Sequence, residues 1–154
     1  MLLRDATDSD MELVLAWRNN PQVWAGTYTQ SKENRPLTWE EHFKWWRSRY
    51  NWQTFIIQVN DDLWTRDVGY LNIGQLDNWN PEISIYVGET LLWGQGIGSK
   101  ALKLAINSLK EHKYNAVHTT ILKNNERAIR LFRSLGFTRY GEARENEYEV
   151  QLRF

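Results

Sequence analysis

The chain has 154 residues, and its 19 lysines and arginines balance 19 aspartates and glutamates, for a formal net charge of +0. That length suits one compact domain, and we expect residues 1–154 to form it. The balanced charge argues against a nucleic-acid partner, because nucleic-acid-binding proteins usually carry a basic excess. Without cysteine there is no disulfide, thiolate metal site or cysteine nucleophile, and three dispersed histidines make no credible metal site.

No segment resembles a signal peptide, and the longest apolar runs are far too short to span a membrane. We therefore expect a cytoplasmic protein with no membrane partner. Aromatic residues make 14% of the chain, and each buried ring removes roughly 150–250 Å² from water. A small aromatic core can therefore be large in area, and an exposed aromatic face would allow a homodimer.

Two capping boxes predict where the first two helices begin. The chain opens with a short strand at residues 2–4, and Ser-Asp-Met-Glu at residues 9–12 then predicts a helix start. This helix ends at Asn-Asn-Pro, residues 19–21. Thr-Trp-Glu-Glu at residues 38–41 is the second box and opens a helix with aromatic residues on its inner side.

The rest of the chain is predicted as strands with two further helices. Apolar residues at helical spacing predict helices at residues 99–112 and 125–135, and Gly136 is a natural left-handed stop. Alternating or β-branched segments predict strands at residues 55–59, 68–76, 82–87, 116–121, 138–144 and 147–154. The order β-α-α-β-β-β-α-β-α-β-β predicts an α+β fold with a mixed, mostly antiparallel sheet flanked by helices.

The most informative segment is a glycine-rich loop between a strand and a helix. Residues 93–98 read Trp-Gly-Gln-Gly-Ile-Gly. Glycines let the backbone approach a ligand closely and adopt positive φ, and the first N–H groups of a helix have no partner within it. The helix dipole adds roughly 0.3–1 kcal/mol for an anion there. The segment therefore indicates an anion cradle, although three glycines alone also fit a flexible loop.

This loop resembles the pyrophosphate loop of the GNAT superfamily of acetyltransferases, whose pattern is Arg/Gln-x-x-Gly-x-Gly/Ala. Residues 125–137, which read Asn-Glu-Arg-Ala-Ile-Arg-Leu-Phe-Arg-Ser-Leu-Gly-Phe, resemble the family's Asn-x-x-Ala-x-x-x-Tyr-x-x-x-Gly-Phe helix. The element order is similar over nearly the whole chain. The resemblance implies the GNAT fold and transfer of an acetyl group from acetyl-CoA to an amine.

The resemblance also implies which residues meet coenzyme A. Backbone N–H groups of the loop would bind the pyrophosphate, the preceding strand would border the pantetheine arm, and the second motif would lie near the thiol. The residues implied on the cofactor are Tyr86, Val87, Gln95, Gly96, Gly98, Ser99, Asn125 and Phe132.

Two positions depart from the family pattern. Trp93 stands where the family has Arg or Gln, and its side chain is no phosphate donor, but backbone amides do most of the binding. Phe132 stands where many members have a tyrosine that protonates the departing thiolate. This chain therefore needs another donor, a water molecule or no general acid, since a thiol with a pKa of about 8.5 is a tolerable leaving group.

Catalysis requires a neutral amine and a polarised thioester. Glu82 begins the strand where many relatives keep a catalytic glutamate, and His42 lies among aromatic residues of the second helix, so both are candidate bases. Each also fits an ordinary role, as a solvated acid or a buried histidine. The Val87 N–H is the candidate that would polarise the thioester carbonyl.

Arg18 and Asn19, together with His42, are the candidate acceptor-binding residues. Arg18 could bind a phosphate or carboxylate through two hydrogen bonds, and Asn19 could bind a sugar, although both also fit an ordinary helix end. Trp-Arg-Asn at residues 17–19 with Glu-His at residues 41–42 resembles the GNAT members that acetylate amino-sugar nucleotides, as in pseudaminic acid synthesis.

The favoured acceptor is therefore a small molecule, an amino sugar or a nucleotide-linked amino sugar. One alternative is a protein N-terminus, as for the ribosomal-protein acetyltransferases, and another is an aminoglycoside. A further alternative, motivated by Phe132, is a module that binds CoA without catalysis.

Overall fold

A computed structural model describes residues 1–154, apart from the side chain of residue 61. Its centre is a seven-stranded sheet in the order β1-β2-β3-β4-β5-β7-β6. Neighbouring strands are antiparallel except β4 and β5, which are parallel. The strands are β1 Leu2–Asp5, β2 Gln53–Asp61, β3 Trp64–Gly74, β4 Glu82–Val87, β5 Ala116–Leu122, β6 Thr138–Glu142 and β7 Glu147–Arg153. The predicted α+β class with a mixed, mostly antiparallel sheet is confirmed.

The described chain forms two more helices than predicted. The helices are α1 Met11–Arg18, α2 Pro21–Trp24, α3 Tyr28–Glu33, α4 Trp39–Arg47, α5 Ile97–Glu111 and α6 Glu126–Ser134. The segment predicted to end α1 also begins α2. Pro21 is the first residue of α2, and the Oδ1 of Asn20 caps the helix by accepting the Gln22 N–H at 3.0 Å. None of the helices in the described residues is both long and apolar enough to cross a bilayer.

The two predicted capping boxes have different outcomes. The second is confirmed, since the Glu41 N–H donates to Thr38 Oγ1 at 3.2 Å and Thr38 N–H donates to Glu41 Oε1 at 3.1 Å. The first, at residues 9–12, is wrong. Asp10 instead accepts the Thr7 N–H at 2.9 Å, and Arg4 donates to both of its carboxylate oxygens at 2.8 and 2.9 Å. Arg4 of β1 therefore helps to hold Asp10, the residue just before α1, in place.

Apolar side chains cover both faces of the sheet. On one face, α5 and α6 pack on β4 and β5 around the buried Ile83, Leu102 and Val117. On the other face, α1 packs on β2 and β3 through Val14 and Ile56. Each fully buried aliphatic side chain contributes roughly 1.5–3 kcal/mol. Helices therefore pack on both faces of the sheet, and the packing of α5 and α6 fixes the positions of β4 and β5.

β4 and β5 pair only where they begin. Glu82 lies opposite His118, and the His118 N–H donates to the Pro81 carbonyl at 3.0 Å. Within the described residues no further ladder pair joins the two strands. Their C-terminal halves therefore leave unpaired backbone on either side of a gap.

Candidate active site

The gap between β4 and β5 is a cleft of about 640 Å³. Residues 84–87 of β4 line one side and residues 119–121 of β5 line the other. The glycine loop with the start of α5, the first turns of α6, and α2 with the residues that follow it also line the cleft. Its volume lies in the range typical of small-molecule sites.

Main-chain N–H groups of β4 face this cleft. The Gly88 N–H donates to the Val68 carbonyl at 2.8 Å, on the β3 side. Because hydrogen-bonding direction alternates along a strand, the N–H groups of Ile85 and Val87 point the opposite way, toward β5. Val87, the predicted polarising donor, therefore has its N–H directed into the cleft.

The glycine loop has the geometry of an anion cradle. Gly94 and Gly96 have φ of 83° and 80°, and no atom lies within 4 Å of where a side chain would begin at either. In α5 the Lys100 N–H donates to the Gly96 carbonyl at 3.1 Å. The N–H groups of residues 97–99 precede this bond and have no intrahelical acceptor.

The predicted loop residues do not all meet the cleft. Gly96, Gly98 and Ser99 line it, whereas Gln95 is exposed and is not among the lining residues. Gly98 packs against α6, where an added Cβ would lie 3.3 Å from Leu131. The open backbone and the free helix N-terminus fit a diphosphate group.

The second motif lies along the same cleft. The Asn125 Oδ1 accepts the Ala128 N–H at 3.2 Å and so caps α6. The Asn125 Nδ2 faces Gly26, where an added Cβ would lie only 2.8 Å away. Phe132 lines the cleft but is 5% exposed, and its ring packs edge-on against Phe137 at 5.0 Å between centroids. Phe132 offers no proton to a leaving group.

Tyr86 and Glu82 lie on the face of β4 that turns toward α1. The Tyr86 ring stacks on Tyr70 at 4.9 Å, and burial raises the pKa of both phenols. Burial also raises the pKa of Glu82, while nearby His118 and Arg144 oppose that rise. Glu82 is not among the residues that line the cleft, and about 17 Å of extended strand separates it from Val87. A bound molecule or water would have to connect them.

His42 is a fully buried side chain that anchors Arg18. The His42 Nε2 lies 2.8 Å from the Met11 carbonyl, which can only accept, so Nε2 carries the proton. The Nδ1 therefore accepts from Arg18 Nη1 at 2.9 Å. Burial lowers the pKa of His42 to about 4, so the ring is neutral near pH 7. Both ring nitrogens have partners, and neither is free to act on a substrate.

Asn19 is also occupied by the protein. Its Oδ1 accepts the Leu37 N–H at 2.7 Å, and its Nδ2 donates to the Leu37 carbonyl at 3.0 Å. The pair of bonds joins the end of α1 to the segment before α4. The amide of the half-buried Asn19 is therefore occupied by hydrogen bonds within the protein.

Arg18 and Arg49 form a cationic pair around one indole, called the arginine pair below. Their guanidinium carbons lie 3.9 and 3.8 Å from the centroid of Trp45. Arg49 also donates to the Asn72 Oδ1 at 3.2 Å, and its Nε is buried without a hydrogen-bond partner. Burial lowers the pKa of Arg18, and burial together with Arg18 lowers that of Arg49 to about 10.

The arginine pair forms no salt bridge among the described residues, although the charge of nearby Glu41 acts to raise the pKa of Arg18. In the part of the chain that the structure describes, no carboxylate lies within 4.0 Å of Arg18 or Arg49. A buried cation is costly without a counter-charge. The sequence motif indicated Arg18, but nothing in the sequence pattern indicated Arg49.

Acidic side chains occupy the other part of the same sheet face. Glu82 lies opposite His118, which pairs with Gln151, so alternation along β7 places Glu147 and Glu149 on that face. Glu147 is 3% exposed and accepts from the Arg144 Nε at 2.5 Å. The face is therefore cationic near β3 and acidic across β4 and β7.

A family model described as an acetyltransferase (GNAT) domain matches residues 1–138. An uncharacterised protein of Methanocaldococcus jannaschii, MJ1062, is 45% identical over 154 residues, which are 99% of this chain but 31% of that protein. The chain thus spans about a third of that relative. Acetyltransferase PseH of Campylobacter jejuni is 21% identical over 145 residues, 92% of this chain and 85% of PseH.

Solved structures share the fold. A domain from Methanocaldococcus jannaschii superposes with a TM-score of 0.95 at 42% identity, covering 99% of this chain and 97% of that domain. The aminoglycoside acetyltransferase AAC(6')-Ib in complex with coenzyme A has a TM-score of 0.81 at 16% identity, covering 98% of this chain and 93% of that chain.

Proposed function

Because the chain belongs to the GNAT acetyltransferase family, whose acetyl donor is acetyl-CoA, we propose that it acetylates the primary amine of a nucleotide-linked amino sugar. The observation that carries this proposal is the arginine pair, two partly buried cations that form no salt bridge among the described residues, with the Arg49 Nε buried and unpaired. An acceptor that brings its own phosphate groups would supply the missing counter-charge.

The distribution of charge on the sheet face supports the same acceptor. An acceptor with an amine and an anion can place the amine toward Glu82 and the anion toward the arginine pair. A polycation such as an aminoglycoside or a polyamine has no anionic group for the arginines. The similarity of residues 17–19 and 41–42 to amino-sugar-nucleotide acetyltransferases agrees with this choice.

Different residues of the chain serve different steps of the acetyl transfer. The amine nitrogen forms a bond to the thioester carbon while the carbon–sulfur bond breaks. In this proposal the Val87 N–H stabilises the negative charge that develops on the carbonyl oxygen. Glu82 takes up the proton that the amine loses, through a chain of several water molecules, and its raised pKa makes it a stronger base. Phe132 leaves the thiolate to be protonated by solvent.

A panel of acceptors tests the proposal. The protein is incubated with acetyl-CoA and either nucleotide-linked amino sugars, free amino sugars, aminoglycosides or peptides with free N-termini, and both CoA release and the acetylated product are measured. We expect the highest kcat/KM with a nucleotide-linked amino sugar. Acetylation of peptides with no reaction on any sugar would overturn the choice of acceptor.

Phe132 favours one second candidate, a domain that binds CoA without catalysis, because the ring supplies no proton. Isothermal titration calorimetry of acetyl-CoA alongside the same panel separates the two functions. Tight binding without turnover on any amine supports the second candidate, and ordinary turnover removes it.

A further inference from the structure

Trp93 is held in a fixed orientation at the mouth of the cleft. Its indole N–H donates to the Val87 carbonyl at 2.8 Å. That carbonyl shares the cleft-facing edge of β4 with the Val87 N–H, because alternation turns both groups toward β5. The ring therefore lies between β4 and the glycine loop, where both Trp93 and Gly96 line the cleft.

Arg127 covers this ring from the first turn of α6. Its guanidinium carbon lies 3.6 Å from the Trp93 ring centroid. Such a stacked guanidinium keeps its N–H donors free at the edge of the plane. The neighbouring Glu126 pairs with Arg130 at 3.7 Å, and among the described residues Arg127 has neither a carboxylate within 4.0 Å nor a hydrogen bond.

The same opening thus combines three features. The helix N-terminus presents free N–H groups, Gly94 and Gly96 leave open space, and Arg127, an exposed side chain without a salt bridge among the described residues, also lines the cleft. Residues 96–99 and Arg127 line the same cleft, so an anion held at the start of α5 would share that cleft with the Arg127 guanidinium.

We propose that Arg127, positioned by Trp93, is a side-chain donor to the diphosphate of coenzyme A. The loop has no phosphate-binding side chain at position 93, and Arg127 brings a cation from another helix to the same place. This inference rests on the use of acetyl-CoA and is independent of which amine is the acceptor.

Binding measurements with coenzyme A and with analogues that lack phosphate groups test the proposal. Calorimetry gives the Kd of Arg127→Gln and of the unaltered protein for CoA and for 3′-dephospho-CoA. We expect Arg127→Gln to weaken both by about 10- to 100-fold, as for loss of a charge-assisted hydrogen bond. KM for S-acetylpantetheine, which lacks all phosphates, is expected to stay unchanged.

Arg133→Gln is the matched control, because Arg133 is an exposed residue in the last turn of the same helix. Its affinity for CoA should equal that of the unaltered protein. Unchanged CoA affinity in Arg127→Gln would overturn the proposal. A loss seen with CoA but not with 3′-dephospho-CoA would also overturn it, because the contact would then be to the 3′-phosphate.

A double-mutant cycle tests the part played by Trp93. Trp93→Ala removes the surface on which Arg127 rests, so combining it with Arg127→Gln should weaken CoA binding no further than the more damaging single change. Fully additive losses in folded variants, with folding checked by thermal melting, would show that Trp93 does not position Arg127.

Discussion

His42 illustrates how one side chain can look functional in the sequence and be a support in the structure. A histidine among aromatic residues near a substrate-binding motif predicts a base or a ligand contact, yet both nitrogens are used within the protein. The same residue type serves either purpose, so the sequence could not decide. Asn19 is similar, because its amide is used by Leu37.

The buried neutral state of His42 makes stability depend on pH. The folded pKa is about 4 and the ordinary value is 6.5, so between these values the unfolded chain binds the proton more readily. The stabilisation is complete above about pH 6.5 and is lost as the pH falls toward 4, by up to about 3 kcal/mol.

Urea unfolding between pH 7.5 and 4.5 measures this effect. His42→Gln removes the titrating ring, so its free energy of unfolding should vary less with pH than that of the unaltered protein. Equal pH dependence in the two proteins would contradict the neutral state assigned to His42.

Arg49 provides a second prediction at this scale. Arg49→Met removes a partly buried cation that has no salt bridge among the described residues, which offsets the loss of stacking on Trp45. The free energy of unfolding should therefore change by less than about 1 kcal/mol. KM for an anionic acceptor should rise about tenfold or more, because a charge-assisted contact is lost.

Arg47→Gln is the control for Arg49→Met, since Arg47 is an exposed residue on α4. Steady-state kinetics and denaturant unfolding are measured on both variants. An unchanged KM in Arg49→Met would remove the arginine pair from acceptor binding.

At the scale of elements, the segments with a clear apolar period were predictable and the two shortest helices were not. The bounds of β4 were predicted correctly, and α5 and α6 were predicted within two residues, because their apolar spacing and caps agree. α2 and α3 span four and six residues, too few for a periodic pattern. The Asn20 cap and Pro21 set the start of α2, whereas Arg4 holds the Asp10 carboxylate just before α1.

The sequence predicted the parts of the candidate site that the backbone conformation forms, but not the side chains that come from distant segments. Gly94 and Gly96 have the positive φ that the motif indicated, and Val87 lines the cleft, while their roles toward a ligand stay predictions. Arg49 and Arg127 were not predicted as site residues, because each meets its indole only through packing of distant segments.

The start of α5 carries a prediction of its own. Gly96 has φ of 80° in open space, so Gly96→Val strains the backbone by roughly 1–2 kcal/mol and narrows the cradle. CoA binding should weaken at least tenfold in calorimetry. Gly141→Ala, where the site is also open but φ is not positive, should leave it unchanged. Normal affinity in Gly96→Val would contradict the loop assignment.

At the scale of the whole molecule, the cleft lies between β4 and β5, the two neighbouring strands with the fewest ladder pairs among the described residues. One ladder pair joins β4 to β5, whereas seven pairs join β5 to β7. A ligand that contacts the start of α5, β4 and α6 would connect the two parts of the sheet. Its binding energy would then stabilise the entire fold.

CoA at 100 times its Kd should therefore raise unfolding free energy by about 2.7 kcal/mol. For a chain of this size the melting temperature should rise by roughly 5–10 °C. Differential scanning calorimetry measures the shift, with S-acetylpantetheine as the comparison that lacks the diphosphate. An absence of any shift with CoA would contradict binding across the cleft.

The most direct measurement is a crystal structure of the protein with coenzyme A. The cofactor diphosphate is expected within hydrogen-bond distance of the N–H groups of residues 97–99, with the pantetheine arm between β4 and β5 and Arg127 against a phosphate oxygen. Coenzyme A bound away from this loop, or no binding at a saturating concentration, would contradict the assignment of this cleft as the acetyl-CoA site.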